Sequence, residues 1–160
     1  MATIRVFEEL EIWRLARVQC QELFNLIQAG CLDTDTPLRD QMNRSSGSVM
    51  DNIAEGFDRF SKADFRNFLV IARGSNAEFR SQCYRCKDRG FINSMKAESL
   101  IEDGRHLGIK INGLIKHLDQ SDYKTKPKSL PPDTIEEPAT EYEPLEAAGY
   151  DLPSSFILIP

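Results

Sequence analysis

Histidine is nearly absent from this 160-residue chain, which has only His106 and His117. A dinuclear carboxylate centre in a helical bundle needs two Glu-x-x-His pairs and two further glutamates. Asp103 and Glu102 precede His106 by three and four positions, but His117 has no carboxylate at either distance, so that chemistry is not expected and both histidines read as surface residues. Neither a Ser/His/Asp arrangement nor a glycine-rich phosphate loop is visible. No apolar run approaches the roughly 18 residues that span a bilayer, and the opening MATIRVFEELEIW has no basic segment leading into an apolar one. The expectation is a cytoplasmic protein with no membrane partner. Proline is scarce up to residue 126, where Pro37 stands alone, and no stretch alternates with the two-residue period of paired strands.

Charge of one sign is also missing from most of the chain. Residues 1–120 carry 17 Lys/Arg against 17 Asp/Glu, and residues 121–160 carry 3 against 8, which accounts for the net charge of −5. The acidic balance therefore describes the tail, and composition neither supports nor excludes nucleic acid as a partner of the rest. The four cysteines, Cys20, Cys31, Cys83 and Cys86, come without a secretory signal and are expected as reduced thiols. Cys83 and Cys86 form a C-x-x-C pair, but Cys20 and Cys31 are eleven residues apart. That is not the spacing of a second zinc knuckle, so no metal and no cofactor is expected.

What is present is helical periodicity. Leu10, Trp13, Ala16, Cys20, Leu23 and Ile27 recur three or four apart, which predicts a helix from about Glu8 to Ala29 with Gly30 as its stop. Asp33, Thr34 and Asp35 offer N-cap oxygens and Pro37 suits a first turn, opening a second helix that runs to about Arg59. Ser61 and Asp64 open a third, with Phe65, Phe68, Leu69, Ala72, Phe79 and Cys83 as its apolar face and Gly90 as its end. Asn93 or Ser94 caps a fourth, carried by Leu100, Leu107, Ile111, Leu114 and Leu118 and weakened locally by Gly104, Gly108 and Gly113. Short connections favour antiparallel neighbours, so the predicted fold is an all-α, antiparallel up-and-down four-helix bundle over residues 1–120. Seven of the eight prolines lie in residues 121–160 amid Glu, Ser and Thr. This predicts a second region, an extended or disordered acidic tail ending in the apolar run Phe156 to Ile159.

The second helix is unusual. Leu38, Met42, Ser45, Val49, Ile53 and Gly56 form its stripe, and Ser45, Ser46, Gly47 and Ser48 leave little side chain between backbones. Gly and Ser in a helix interior cost about 0.5–1 kcal/mol each, so close approach is the expected return. Arg44, Ser48, Asn52 and Glu55 fall along one face. Without a nucleophile or histidine in the pattern they read as structural, with Glu55 and Arg44 bonding across a helix or subunit contact. Glu78, beside Gly74 and Ser75, reads as a second interhelical polar contact.

On the third helix Arg66, Arg73, Arg80 and Lys87 are spaced by seven, with Arg59 one step earlier. Seven residues make nearly two turns, so these cations share one edge, drifting about 20° per heptad. One reading is a basic surface that contacts phosphates and binds with steep salt dependence. The other is a solvated face, or pairing with Asp58, Asp64 and Glu78, each exposed pair contributing about 0–1 kcal/mol. No aromatic residues interleave on that edge, so any nucleic-acid binding would be backbone-directed.

Gln41, Arg44, Ser48, Asn52, Ile53, Ala54, Glu55 and Gly56, followed by Phe65, Phe68, Ala72, Gly74, Ser75 and Glu78, resemble the signature of a known bacterial family. These are the four helix bundle proteins first associated with intervening sequences in 23S ribosomal RNA genes. FEELEIWRLA, residues 7–16, resembles that family's first helix, and the likeness covers roughly residues 5–119. It implies a bundle that assembles into a homopentamer, with no established enzymatic activity. The family is similar to the accessory variability proteins of diversity-generating retroelements, which are pentameric, basic, and associate with nucleic acid and a reverse transcriptase. This chain departs from the pattern at Asn43, where a second basic residue is common, at Gly47, and in its acidic tail.

The combined expectation is a non-enzymatic oligomer that binds RNA, DNA or a nucleic-acid-handling protein through Arg59, Arg66, Arg73, Arg80 and Lys87. Arg44, Ser45, Gly47, Ser48, Asn52, Glu55, Gly56, Gly74 and Glu78 would serve helix or subunit packing. The alternative is a protein-interaction scaffold that uses the acidic tail and apolar C-terminus and binds no nucleic acid.

Overall fold

Four helices follow one another where the side chains supply their ends: α1 Glu11–Gln28, α2 Thr36–Asp58, α3 Lys62–Asp88 and α4 Ser94–Gln120. The computed structural model describes residues 4–59 and 61–120. The chain divides into a unit of residues 1–128 and one of residues 129–160, and all the described residues belong to the first. The expected tail and its apolar end lie outside the described residues.

The Asp35 carboxylate accepts the Leu38 N–H at 3.1 Å and caps α2, with Pro37 in the first turn. Ser61 caps α3 reciprocally: its Oγ accepts the Asp64 N–H at 2.9 Å and donates to the Asp64 carboxylate at 2.7 Å. Asn93 caps α4 by accepting the Lys96 N–H at 2.8 Å. α1 and α3 stop alike. Gly30 (φ +74°) and Gly90 (φ +70°) take the left-handed conformation that terminates a helix with paired backbone bonds. Cys31 N–H bonds to Leu26 C=O and Gly30 N–H to Ile27 C=O; Phe91 to Cys86 and Gly90 to Lys87 repeat the pattern. Arg89, at the end of α3, pairs with the capping Asp35 and ties the two inter-helix connections together.

The first helix begins later than the periodicity predicts. Phe7–Glu9 form a single 3-10 turn, and extended backbone at Leu10 (ψ 123°) separates it from α1. The break lets Leu10 enter the core while Phe7 packs edge-on to Trp13, with ring centroids 5.0 Å apart.

Each helix packs most on its sequence neighbours, α2 on α3 above all, and α1 closes the ring against α4 through the thinnest contact. Among the described residues the fold is the all-α up-and-down bundle expected. Its interior is divided. One apolar cluster, including Leu23, Leu38, Met42, Phe79, Cys83 and Leu100, fills the end that holds the α1–α2 and α3–α4 connections. Another, including Ile12, Ala16, Val49, Ile53, Leu69 and Ile111, fills the opposite end. Between them every helix contributes a polar or small residue: Gln19 from α1, Ser45 and Ser46 from α2, Asn76 from α3 and Gly104 from α4, all buried. Asn76 Nδ2 donates to the Gly104 C=O at 2.7 Å, and Ser45 Oγ to Gln82 Oε1 at 2.6 Å.

Candidate functional site

The heptad of cations on α3 lies along its seam with α4. Arg66 Nε donates to the Asp119 carboxylate at 2.6 Å, Arg73 Nη1 to the Asn112 side-chain oxygen at 2.8 Å and Lys87 Nζ to Glu98 at 2.8 Å. Arg59 pairs with Glu55 one turn earlier and lies 5.3 Å above the Phe68 ring. Arg66, Arg73 and Lys87 meet partners other than Asp58, Asp64 and Glu78 because their edge faces α4, whose polar side chains come within reach only through the fold. Asp64 is engaged by Ser61, and Glu78 accepts from Gln82 Nε2 at 3.0 Å. Hydrogen bonding to Glu98 raises the Lys87 pKa. The pairs are solvent-exposed, so they yield to competing phosphate at modest cost.

Arg80 is different. Among the described residues no carboxylate pairs with it, and its Nε is buried without a hydrogen-bond partner. Its stem runs across Gly104, where an added Cβ would lie 2.6 Å from Arg80 Cγ. Glycine at that position admits the arginine. Arg80 thereby joins Arg73, Arg105, Asn76, Gly108 and Asn112 around an open groove of about 300 Å³ between α3 and α4. No acidic side chain lines this groove, although Arg105 also pairs with Glu102 one turn away.

The small-residue segment does two separate things. Leu38, Met42, Ser45, Val49, Ile53 and Gly56 are all buried, as their spacing predicts. Gly56 is the close approach: a Cβ there would lie 2.5 Å from Phe68 Cβ and 3.1 Å from Phe65 Cδ2. Gly47 and Gly74, in contrast, touch no other helix. An added Cβ would meet only Asp51 Oδ2 at 3.9 Å from position 47, and nothing within 4 Å from position 74. Next to them Ser48 and Ser75 join hydroxyl to hydroxyl at 2.9 Å across α2 and α3, and Asn52 Nδ2 donates to the Ser48 C=O at 2.7 Å and to its Oγ at 3.0 Å. Glu55 meets Arg59 rather than Arg44, which is exposed. Glu78 reaches α2 indirectly, through Gln82 to Ser45. Within the protomer, then, Ser45, Ser48 and Gly56 join helices and Asn52 braces Ser48 from the same helix, while Arg44 and Gly74 are exposed and Gly47 is half-buried with no other helix against it.

The periodicity of α1 reads differently in three dimensions. Ile12, Ala16, Gln19 and Leu23 are its buried set, whereas Trp13, Cys20 and Ile27 are only partly covered. Gln19 and Asn76 escape a purely hydrophobic count, yet both occupy the 4,3 rhythm of their apolar neighbours, which is the signal that could have found them. Two of the four thiols, Cys83 and Cys86, are buried in the core. Burial pushes Cys83 up to about 12 and Cys86 up to about 11, and Cys86 Sγ packs 3.3 Å from Met42 Sδ. Among the described residues no three His, Cys, Asp or Glu side chains stand together as a metal site, and no helix is long and apolar enough to cross a membrane.

Comparison with known proteins bears on this geometry. The model of the 23S rRNA-intervening sequence protein family matches residues 8–113. A crystal structure from Bacteroides thetaiotaomicron, described as a protein with unknown function from the S23 ribosomal protein family, superposes with a TM-score of 0.60 at 23% identity. That alignment covers 66% of this chain and 98% of the other, and it shows a shared fold. No curated protein matches the chain.

Proposed function

We propose, for a chain that belongs to the 23S rRNA-intervening sequence protein family, a non-enzymatic oligomer that binds nucleic acid through its phosphate backbone in the cytoplasm. The observation that carries the reading is the α3–α4 groove, where Arg73, Arg80 and Arg105 converge with no carboxylate among the lining residues. Arginine forks match phosphate geometry, and the unpaired Arg80 gives an incoming phosphate no ion pair to displace. Arg66 and Lys87 extend the same seam as weaker, exchangeable contacts. A nucleic-acid-handling partner such as a reverse transcriptase would be brought to the same surface.

The oligomer would form through the outer face of α2 around Gly47. Glycine there costs about 1 kcal/mol of helix stability relative to alanine, with no other helix of the protomer close enough to require it. A neighbouring subunit that approaches the backbone there supplies the reason. The resemblance makes that assembly a pentamer, and a ring repeats the basic seam around its circumference.

Filter-binding titrations against duplex DNA, single-stranded DNA and structured RNA at two salt concentrations test the first part. Changing Arg73, Arg80 and Arg105 together to Ser should weaken binding to all three and lower the salt slope by about one per arginine. Equal weak binding by both forms would leave the interaction scaffold, with no nucleic acid bound, as the better account. Light scattering tests the second part: Gly47→Leu should lower the native mass while circular dichroism stays unchanged.

A further inference from the structure

The cations of the α3–α4 seam fall into two arrangements. Towards its ends each stands alone with a partner of its own, Arg66 with Asp119 and Lys87 with Glu98. In the middle, Arg73 and Arg80 from α3 and Arg105 from α4 line one groove of about 300 Å³. Their charges are poorly compensated there. Glu102 offsets Arg105, Arg73 meets only the neutral Asn112 oxygen, and Arg80 has no carboxylate partner among the described residues. Two guanidinium charges therefore stay uncancelled. Arg80 Nε is buried, which leaves the two terminal nitrogens of that guanidinium to meet a ligand, and Asn112 keeps its Nδ2 as a neutral donor. Gly74, Ala77 and Gly108 add little bulk to the lining.

We infer that this groove receives the end of a nucleic-acid strand, as a terminal phosphomonoester, in preference to a phosphate within the chain. The inference rests on the phosphate-binding reading above and narrows it to one kind of phosphate. An internal phosphodiester carries one negative charge and two free oxygens, which a single guanidinium fork already uses. A terminal phosphate carries about −1.5 to −2 at pH 7 and three free oxygens. Two forks can share it, so both uncancelled charges are neutralised on one group. The groove has room for a phosphate and the sugar that bears it, but not for the width of a duplex. Arg66 and Lys87 lie about two helical turns beyond Arg73 and Arg80. They offer single contacts to the phosphates that follow, whichever way the strand leaves.

The full chain would be titrated, by fluorescence anisotropy, with single strands of one sequence and one internal label, made as RNA and as DNA. Each would carry a 5′-phosphate, a 3′-phosphate, or hydroxyls at both ends. At least one phosphorylated strand should bind about tenfold tighter than its hydroxyl-ended counterpart, the worth of one added charge-assisted hydrogen bond. Arg80→Met removes the guanidinium and keeps a long aliphatic stem over Gly104. It should fold normally, as judged by circular dichroism, and erase most of that preference. Lys87→Met, an equal loss of charge outside the groove, should weaken all strands alike and keep the ratio. Equal binding of all three ends, with an affinity that still falls with salt, would overturn the end preference and leave backbone binding standing. So would a preference that Arg80→Met keeps or Lys87→Met abolishes. Absent or salt-insensitive binding of every strand would refute the backbone reading itself, and this inference with it.

Discussion

Replacing Gly56 by alanine should destabilise the bundle, although the same change at Gly74 should stabilise it. Alanine in a helix interior is worth about 1 kcal/mol over glycine, and at position 74 nothing within 4 Å opposes the new methyl group. Gly74→Ala should therefore gain about 1 kcal/mol, raising Tm by roughly 4 °C for a domain of this size. At position 56 the methyl carbon would stand 2.5 Å from Phe68 Cβ and 3.2 Å from Phe68 Cγ. A Cβ is rooted in the backbone and does not swing aside, so α2 and α3 must separate by about an ångström or bend. Overpacking of this kind costs about 1–3 kcal/mol, which outweighs the propensity gain and leaves a net loss of about 1 kcal/mol. Urea unfolding followed by circular dichroism, with both variants beside the parent, reads the difference directly. If Gly56→Ala proved as stable as Gly74→Ala, the near-contact of α2 with the start of α3 would be wrong, and with it the reason for small residues on the buried stripe.

Two other outcomes follow from the caps and the core. Asp35→Ala removes both the α2 N-cap and the partner of Arg89, and should cost about 1–2 kcal/mol by denaturant titration; a change within error would mean that the connection is held by other contacts. Cys83, held at about 12 by burial against an ordinary value of 9.0, adds stability that is fully present below pH 9 and disappears as pH rises towards 12, because the unfolded thiol ionises first. Cys83→Ala should be less stable at pH 7, with the gap to the parent narrowing through that window; a constant gap would refute the burial argument.

Much of this architecture was legible from residue type. Gly30 and Gly90 ended α1 and α3 where expected, and Asp35, Ser61 and Asn93 capped their helices, because each of those signals acts within a few residues. The 3-10 turn at Phe7–Glu9 was not legible, since it depends on where Leu10 can be buried. The heptad of cations was plain in the chain, but Asp119, Asn112 and Glu98 became its partners only through the packing of α4. The segment 45–48 announced small side chains without saying which way they face, and Gly47 turned out open while Gly56 was crowded. Gln19 was hidden for a related reason: hydrophobic patterning passes over an amide that keeps the apolar rhythm.

The polar belt at the bundle's midpoint makes helix alignment self-checking. Sliding α3 one turn along α4 would carry the Asn76 amide away from the Gly104 carbonyl and strand it among leucines and isoleucines. The same slip would press ordinary side chains onto the gap that Gly104 keeps open for Arg80. A rod packed only with aliphatic groups tolerates such slippage, whereas a belt at mid-height penalises every offset but one.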